Sequence, residues 1–254
     1  MNNSRDSKER LAEFALGMGE MLLESGAEMV RVEDTVHRIL RAGGTEAPEV
    51  FALPTGIFVG GRDRHSVTAM RRVSRRGTDL RRVSRLNQLS REFCGGKKTL
   101  KEAEEELSRI EASEKYGFPL RLLGYALTCG FFAVMFDGGI PECVAAGAVG
   151  ILLCLVQEFF SRYSLSDFIL VMLGSMAIGF ATLGTQRLIL PSLEVSAVVS
   201  GAIMPLVPGA TLTTGIRDTI NGDYSAGVAR VAEAVVVALA VATGMAAAMV
   251  AFRL

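Results

Sequence analysis

The sequence predicts an α-helical membrane protein in which an N-terminal cytoplasmic α/β domain precedes a bundle of five transmembrane helices. Two observations predict this architecture. The chain of 254 residues carries 27 basic and 27 acidic side chains, and 40 of these 54 charges lie in residues 1–115. Residues 116–254 instead contain five long stretches without any charged side chain. Such a composition is atypical of a soluble domain, and we therefore expect a domain boundary near residue 115.

The first 115 residues predict a small α/β domain. From residue 11 to residue 40, apolar residues recur at steps of three and four, which indicates one amphipathic helix or a pair of helices bent near Ser25 and Gly26. Gly43 and Gly44 then end the helical region. Further along the chain we expect short strands at 49–53, 56–60 and 66–73, a turn at 62–64, and helices near 78–93 and 99–113.

The second region predicts five membrane-spanning helices, at about 118–136, 141–160, 167–185, 193–210 and 229–252. A helix needs roughly 20 apolar residues to cross a bilayer. The first two charge-free runs are shorter, but Arg121, Glu142 and Glu158 at their ends can reach the membrane surface and extend them. Two rows of small residues on the last helix predict close helix packing or contact with another subunit: Ala234, Ala238 and Ala242, and Ala240, Gly244 and Ala248.

Basic residues indicate the orientation of the chain in the membrane. A cluster of them precedes the first span, and the positive-inside tendency places that end in the cytoplasm: Lys97, Lys98, Lys101, Arg109, Lys115 and Arg121. The first ten residues lack the apolar core of a signal peptide. We therefore expect a cytoplasmic N-terminus and, with five spans, a C-terminus on the opposite side.

The segment from residue 204 to residue 224 is the most informative part of the sequence. Pro205 and Pro208 lack amide donors and are followed by Gly209, so the fourth helix is expected to break around Pro205–Gly209. Free backbone groups at membrane depth are tolerated only where they face protein or water, and many transporters bind substrate at such discontinuous helices. Polar candidates for transport or substrate binding follow the break: Thr211, Thr213, Thr214, Arg217, Asp218, Asn221, Gly222, Asp223, Arg230 and Glu233.

A second interpretation of this segment stays open at this point. It is a cytoplasmic loop with a tight turn at Asn221 and Gly222, and with an ion pair between Arg230 and Glu233 where the last span meets the membrane surface.

Motifs of catalysis, metal binding and nucleic-acid binding are absent from the sequence. The only histidines are His37 and His65, the four cysteines lack metal-ligand spacing, and no nucleophile or phosphate-binding motif occurs. Zero net charge argues against a nucleic-acid partner. The arginine-rich stretch 71–85 favours contact with anionic lipid instead. No cofactor or metal is expected.

Several short motifs are distributed from about residue 10 to the end of the chain: Gly26-Ala-Glu-Met-Val-Arg-Val-Glu-Asp-Thr-Val36, Ala52-Leu-Pro-Thr-Gly56, Val207-Pro-Gly209, Arg217-Asp218, Asn221-Gly-Asp-Tyr224, Gly227 and Arg230. Together they resemble the threonine/serine exporter family, in which a cytoplasmic domain precedes a block of five spans. The chain is similar to the larger subunit of that family's split form, which resembles a bacterial exporter of succinate-type dicarboxylates.

The resemblance implies which residues belong to the family's motifs. In the soluble domain the matching positions are Gly26, Arg31, Glu33, Asp34, Pro54 and Thr55; after the fourth span they are Pro205, Pro208, Gly209, Asp218, Gly222, Asp223 and Arg230. Our hypotheses for their roles are as follows. Arg230 or Arg217 pairs with a substrate carboxylate, which the planar guanidinium suits. A proton is taken up by one of the acidic residues Asp218, Asp223 and Glu233.

The expected function is therefore efflux of a small carboxylated metabolite across the bacterial inner membrane, driven by the proton gradient. The substrate is either an amino acid like threonine or serine or a dicarboxylate like succinate. The resemblance implies a small all-membrane partner subunit, a homo-oligomer, or both. Two alternatives stay open: a membrane-anchored hydrolase with a catalytic N-terminal domain, and a regulatory or assembly subunit.

Overall fold

The computed structural model describes residues 2–61, 68–74, 77–113, 116–163 and 165–253, with side chains from residue 7 onward. The predicted turn at 62–64, His65, Lys115 and the start of the third strand lie outside these residues. The chain divides into two compact units, Met1–Ser113 with Ala210–Ala232, and Glu114–Gly209 with Glu233–Leu254. We refer to them as the first and the second unit.

Two helices joined by a tight turn begin the first unit. Helix α1 spans Asn2–Glu24 and α2 spans Met29–Ala42, so the predicted bend near Gly26 separates two helices. Gly26 has a φ of +85°, and its amide donates to the Leu23 carbonyl. A Cβ at this position would lie 2.9 Å from the Gly77 carbonyl oxygen. Glycine is therefore required by both the backbone conformation and the space around it.

A three-stranded antiparallel sheet follows, in the order β1 (Pro48–Leu53), β2 (Gly56–Gly61) and β3 (Ala69–Arg72). Helices α3 (Leu80–Cys94) and α4 (Leu100–Glu111) complete this part of the unit. Its core is apolar and well buried, because the helices and strands direct their alternating apolar faces inward. The largest fully buried side chains in it include Met18, Met29, Ile57, Leu86 and Ile110.

The second unit contains long apolar helices. They are α5 (Phe118–Met135), α6 (Ile140–Ser161), α7 (Asp167–Leu188) and α8 (Val195–Ile203), the last extended by a 3-10 turn at Met204–Leu206. Two further helices, α9 (Gly209–Ile220) and α10 (Tyr224–Ala251), contribute to both units.

Helix lengths and composition identify a multi-pass membrane protein. Among the described residues, α5, α6, α7 and α10 are long and apolar enough to cross a bilayer. A fifth span is obtained if Val195–Leu206 and Gly209–Ile220, which are bent by 57° relative to each other, count as one broken span. The expected fourth span, 193–210, contains Val195–Leu206 but only the start of Gly209–Ile220, so the expected number of five spans stays a prediction.

Small residues let the helices of the second unit approach closely. On α10, Ala240 and Ala248 are fully buried, and a Cβ at Gly244 would lie 2.2 Å from the Met172 carbonyl oxygen on α7. In the other predicted row on α10, Ala234 is buried, but Ala238 and Ala242 are exposed. The row that contains Gly244 is therefore the one that packs inside the unit.

We predict that Gly244→Ala destabilises the second unit. The added methyl group meets backbone atoms of α7 that cannot rotate away, and such overpacking costs about 1–3 kcal/mol. Gly184→Ala on α7 is the matched control, because a Cβ there meets nothing within 4 Å. It is expected to leave stability unchanged or to raise it by up to about 1 kcal/mol through helix propensity. Thermal unfolding of both purified variants in detergent measures the difference, and equal midpoints would contradict the packing described.

Candidate functional site

The fourth hydrophobic segment breaks at its two prolines. Helix α8 ends at Ile203, the 3-10 turn contains Pro205, and Val207 is extended with φ −68° and ψ 126°. The residue before a proline is driven from the helical to the extended region, and this accounts for Val207 before Pro208. Helix α9 then starts at Gly209. The break lies where the prolines predict it, and Val207 is exposed.

Buried contacts hold α8, the first helix of this segment, in place. A Cβ at Gly201 on α8 would lie 2.6 Å from the Cys129 carbonyl oxygen on α5. The carboxylate of Glu142, which is buried, accepts from the Gly139 amide at 2.9 Å and from the Glu194 amide at 3.2 Å. Glu194 is the N-cap residue of α8. Glu142 therefore fixes the start of α8, a role that sequence reasoning did not assign.

The connection from α9 to α10 explains the Asn221-Gly222-Asp223 motif. Gly222 has a φ of +92° and donates its amide to the Thr219 carbonyl, while the Asp223 amide donates to the Asp218 carbonyl. These bonds form a Schellman motif, which requires a left-handed residue and favours glycine. Asp223 then caps α10, because its carboxylate accepts from the Ala226 amide at 3.1 Å. The motif thus ends one helix and begins the next.

Helices α9 and α10 pack against each other through two glycines. A Cβ at Gly227 would lie 2.0 Å from Thr219 Oγ1 and 2.9 Å from the Gly215 carbonyl oxygen. Next to this contact, Ala226 is fully buried and belongs to the same apolar core as α1 and α2. The first turns of α10 are therefore an integral part of the first unit.

Asp218 and Arg230 form a buried ion pair in this unit. Asp218 Oδ2 lies 3.1 Å from Arg230 Nε, and the side chains are 0% and 12% exposed. The other carboxylate oxygen, Oδ1, accepts from the Met29 amide at 3.2 Å. Met29 is the first residue of α2, so the carboxylate meets the positive end of a helix dipole as well as a guanidinium.

The arginines of the site contact the turn between α1 and α2. Arg230 donates to the Ala27 carbonyl oxygen at 2.7 Å, and Arg217 pairs with Glu28. The motif around Gly26 and the motif around Arg217 are thus in contact, although almost 190 residues separate them. We give the name joint cluster to Ala27, Glu28, Met29, Arg217, Asp218 and Arg230.

The two ion pairs of the joint cluster differ in strength. Removing one partner of a buried pair leaves an uncompensated charge and destabilises by roughly 3–5 kcal/mol. Arg217 is 61% exposed, and an exposed pair of this kind contributes roughly 0–1 kcal/mol. The pair between Asp218 and Arg230 is therefore the stronger constraint.

The remaining predicted residues of the soluble domain lie in the first unit. Glu33 accepts from the Ala52 amide at 2.8 Å and so connects α2 to β1. Asp34 pairs with Arg38 at 2.9 Å on the exposed face of α2, and Arg31 lies 3.9 Å from Glu28. Two further predicted residues, Pro54 and Thr55, form the turn between β1 and β2.

The structure does not bring all predicted transport residues together. Thr211 is half-buried and Asn221 is exposed, and neither belongs to the joint cluster. Glu233 is the first residue of α10 that belongs to the second unit, and its predicted pairing with Arg230 stays a prediction. Sequence reasoning missed the contribution of Ala27 and Met29, because both act through backbone groups that carry no sequence signal.

Comparison with known proteins identifies relatives along almost the whole chain. Residues 13–252 match the family described as "Putative threonine/serine exporter". The threonine/serine exporter of Corynebacterium glutamicum is 26% identical over 217 residues, which are 82% of this chain and 44% of that protein. The probable threonine/serine exporter of Mycobacterium tuberculosis is 24% identical over 93% of this chain and 45% of its own length. The chain thus spans less than half the length of these two relatives.

A third relative is similar to the chain over most of both lengths. The probable succinate transporter subunit YjjP of Klebsiella aerogenes is 25% identical over 233 residues, which are 90% of this chain and 88% of that protein. No solved structure matches the chain.

We predict that Gly227→Ala loosens the packing of α9 on α10 and lowers stability by about 1–3 kcal/mol. Adding Thr219→Ala removes the nearest atom and should recover part of the loss, since backbone atoms of Gly215 remain close. Gly209→Ala is the control on α9, because a Cβ there meets nothing within 4 Å. Thermal unfolding of the three variants measures the effect, and additive changes in the double variant would contradict the contact.

Proposed function

Because the chain belongs to the threonine/serine exporter family, we propose that it is a subunit of an efflux transporter for a small carboxylated metabolite. One observation of the fold supports the proposal most directly. Val195–Leu206 and Gly209–Ile220 form a bent pair of helices with an extended residue between them, in a chain with four other candidate spans. Backbone interrupted in this way is a common feature of transporter substrate sites.

The substrate class follows from the names of the relatives. Two are named as exporters of threonine and serine, and one as a subunit of a succinate transporter. All three substrates are small and carry at least one carboxylate. We propose that this chain transports a metabolite of the same kind, either an amino acid or a dicarboxylate.

A second component is part of the proposal. The Klebsiella aerogenes relative is named as a subunit. We propose by analogy that this chain acts with a small all-membrane partner, with further copies of itself, or with both. We also propose that the N-terminal domain is cytoplasmic and that the membrane is the bacterial inner membrane, because basic residues cluster before α5.

The predicted roles of individual charges stay predictions. Contact with a substrate carboxylate by Arg217 or Arg230 would compete with the protein groups that both arginines already bind. Proton uptake from the membrane gradient is the mode of coupling that we propose. Asp223 and Glu233 are the candidates that remain for it once the Asp218 carboxylate is assigned to its buried ion pair with Arg230.

We predict that replacing Pro205 and Pro208 together by Ala lowers the efflux rate about tenfold at equal protein level, since the helix can then continue through the break. The measurement is efflux of labelled threonine, serine and succinate from vesicles that contain the chain with its partner. Pro141→Ala is the control, because Pro141 lies in the first turn of α6, where proline is compatible with a helix. Wild-type efflux from the double variant would remove the break from the mechanism.

A separate experiment tests the need for a partner. Cells that lack both components are expected to recover efflux when the chain and its partner are expressed together and to remain deficient with this chain alone. Full recovery with the chain alone would show that no second subunit is required. Accumulation of the substrate inside the deficient cells identifies the substrate, and no accumulation of any small carboxylate would contradict the proposed function.

A further inference from the structure

We propose that Asp218 and Arg230 are positioning residues that join the turn between α1 and α2 to the first turns of α10. In this proposal the N-terminal domain and the start of α10 move as one body during transport, and the Asp218 carboxylate carries neither substrate nor proton. The inference rests on the proposed transport function, and it assigns to this pair a role in that function.

The geometry of the pair closes a ring of polar contacts. From Asp218 the ring passes to the Met29 amide on one side and to Arg230 on the other, and Arg230 continues to the Ala27 carbonyl. Ala27 and Met29 are two residues apart, so both ends of the ring reach the same turn. The ring therefore connects three segments of the chain: the α1–α2 turn, α9 and α10.

Burial separates this role from substrate contact. The Asp218 carboxylate is fully buried. It already pairs with the Arg230 guanidinium and accepts a hydrogen bond from the first amide of α2. A substrate carboxylate could take its place only after the buried pair had come apart, which would leave a desolvated charge without a partner. The closed arrangement is consistent with a structural connection that persists through the transport cycle.

Apolar packing supports the same connection independently. Ala226 lies in the core formed by α1 and α2, and Gly227 contacts Thr219 and Gly215 across the α9–α10 crossing. From these turns α10 continues as one helix to Ala251. Because these turns pack within the first unit, we expect a displacement of the N-terminal domain to carry the first turns of α10 with it.

The first test compares the kinetics of matched variants in vesicles, per folded carrier. Asp218→Asn and Arg230→Lys are expected to lower the maximal efflux rate about tenfold while the half-saturating substrate concentration changes less than about twofold. Arg109→Lys, which alters an exposed ion pair within α4, is the control and should leave both quantities unchanged. The folded fraction is measured by size-exclusion chromatography.

The second test replaces the polar connection by a covalent one. Glu28→Cys and Arg217→Cys are introduced together with Cys94→Ser, and a reducible bifunctional thiol reagent joins the two new cysteines. In the Asp218→Asn background the link is expected to restore most of the efflux rate shown by the unlinked Glu28→Cys/Arg217→Cys variant with Asp218 intact, and reduction should remove the gain again. A tether can restore a connection, but it cannot replace a proton carrier or a substrate ligand.

The outcomes separate the inference from the function it rests on. A raised half-saturating concentration at an unchanged maximal rate would overturn the inference and assign the pair to substrate binding. Failure of the tether to restore efflux, or loss of efflux when the tether is formed with Asp218 intact, would also overturn it. Absence of efflux from the unmodified chain with its partner would contradict the proposed function itself. If the Asp218→Asn protein does not accumulate, the test uses the tethered protein with Asp218 intact. Retained efflux then supports a connection that stays closed during transport, and lost efflux shows that the connection has to open.

Discussion

The buried carboxylate of Asp218 is the contact on which the arrangement of the first unit depends. Burying a charge is unfavourable unless other groups compensate for the lost water. Here the Met29 amide donates to Oδ1, and the Arg230 guanidinium lies beside Oδ2 as its counter-charge. Removing either group would leave the buried carboxylate with less compensation for its charge. The contact therefore imposes one relative position on segments that lie far apart along the chain, and local sequence preferences could not impose it.

Many of the residues that carry the family resemblance serve the architecture rather than chemistry. Gly26 and Gly222 occupy left-handed positions that end helices, Asp223 caps α10, and Glu33 holds the edge of β1. Such positions tolerate few residue types for backbone reasons alone. A motif made of turn and cap residues therefore identifies a fold, while the residues that recognise the substrate have to be found by transport measurements.

The sequence predicted the elements of the fold better than it predicted their association. Apolar periodicity and charge-free runs placed most helices and strands within a few residues, and Pro205 and Pro208 located the break, because these signals are local. Helix α9 was not predicted, since its polar side chains resemble those of a loop. The packing of Ala226 into the N-terminal core was not predictable, since it depends on a contact between distant segments. The partnership of Arg217 with Glu28 was missed for the same reason, as Glu28 also has a near neighbour of opposite charge, Arg31.

The length of α10 has a consequence for how the protein responds to its membrane. A helix of 28 residues is about 42 Å long, whereas the hydrocarbon core of a bilayer is about 30 Å thick. The surplus of about 12 Å is close to the length of the turns from Tyr224 to Ala232, which pack in the first unit. In a thicker bilayer, hydrophobic mismatch would draw those turns toward lipid and weaken their packing in the first unit, while a thinner bilayer would leave that packing undisturbed. Lipid composition would thereby affect the packing of the first turns of α10 through the thickness of the bilayer.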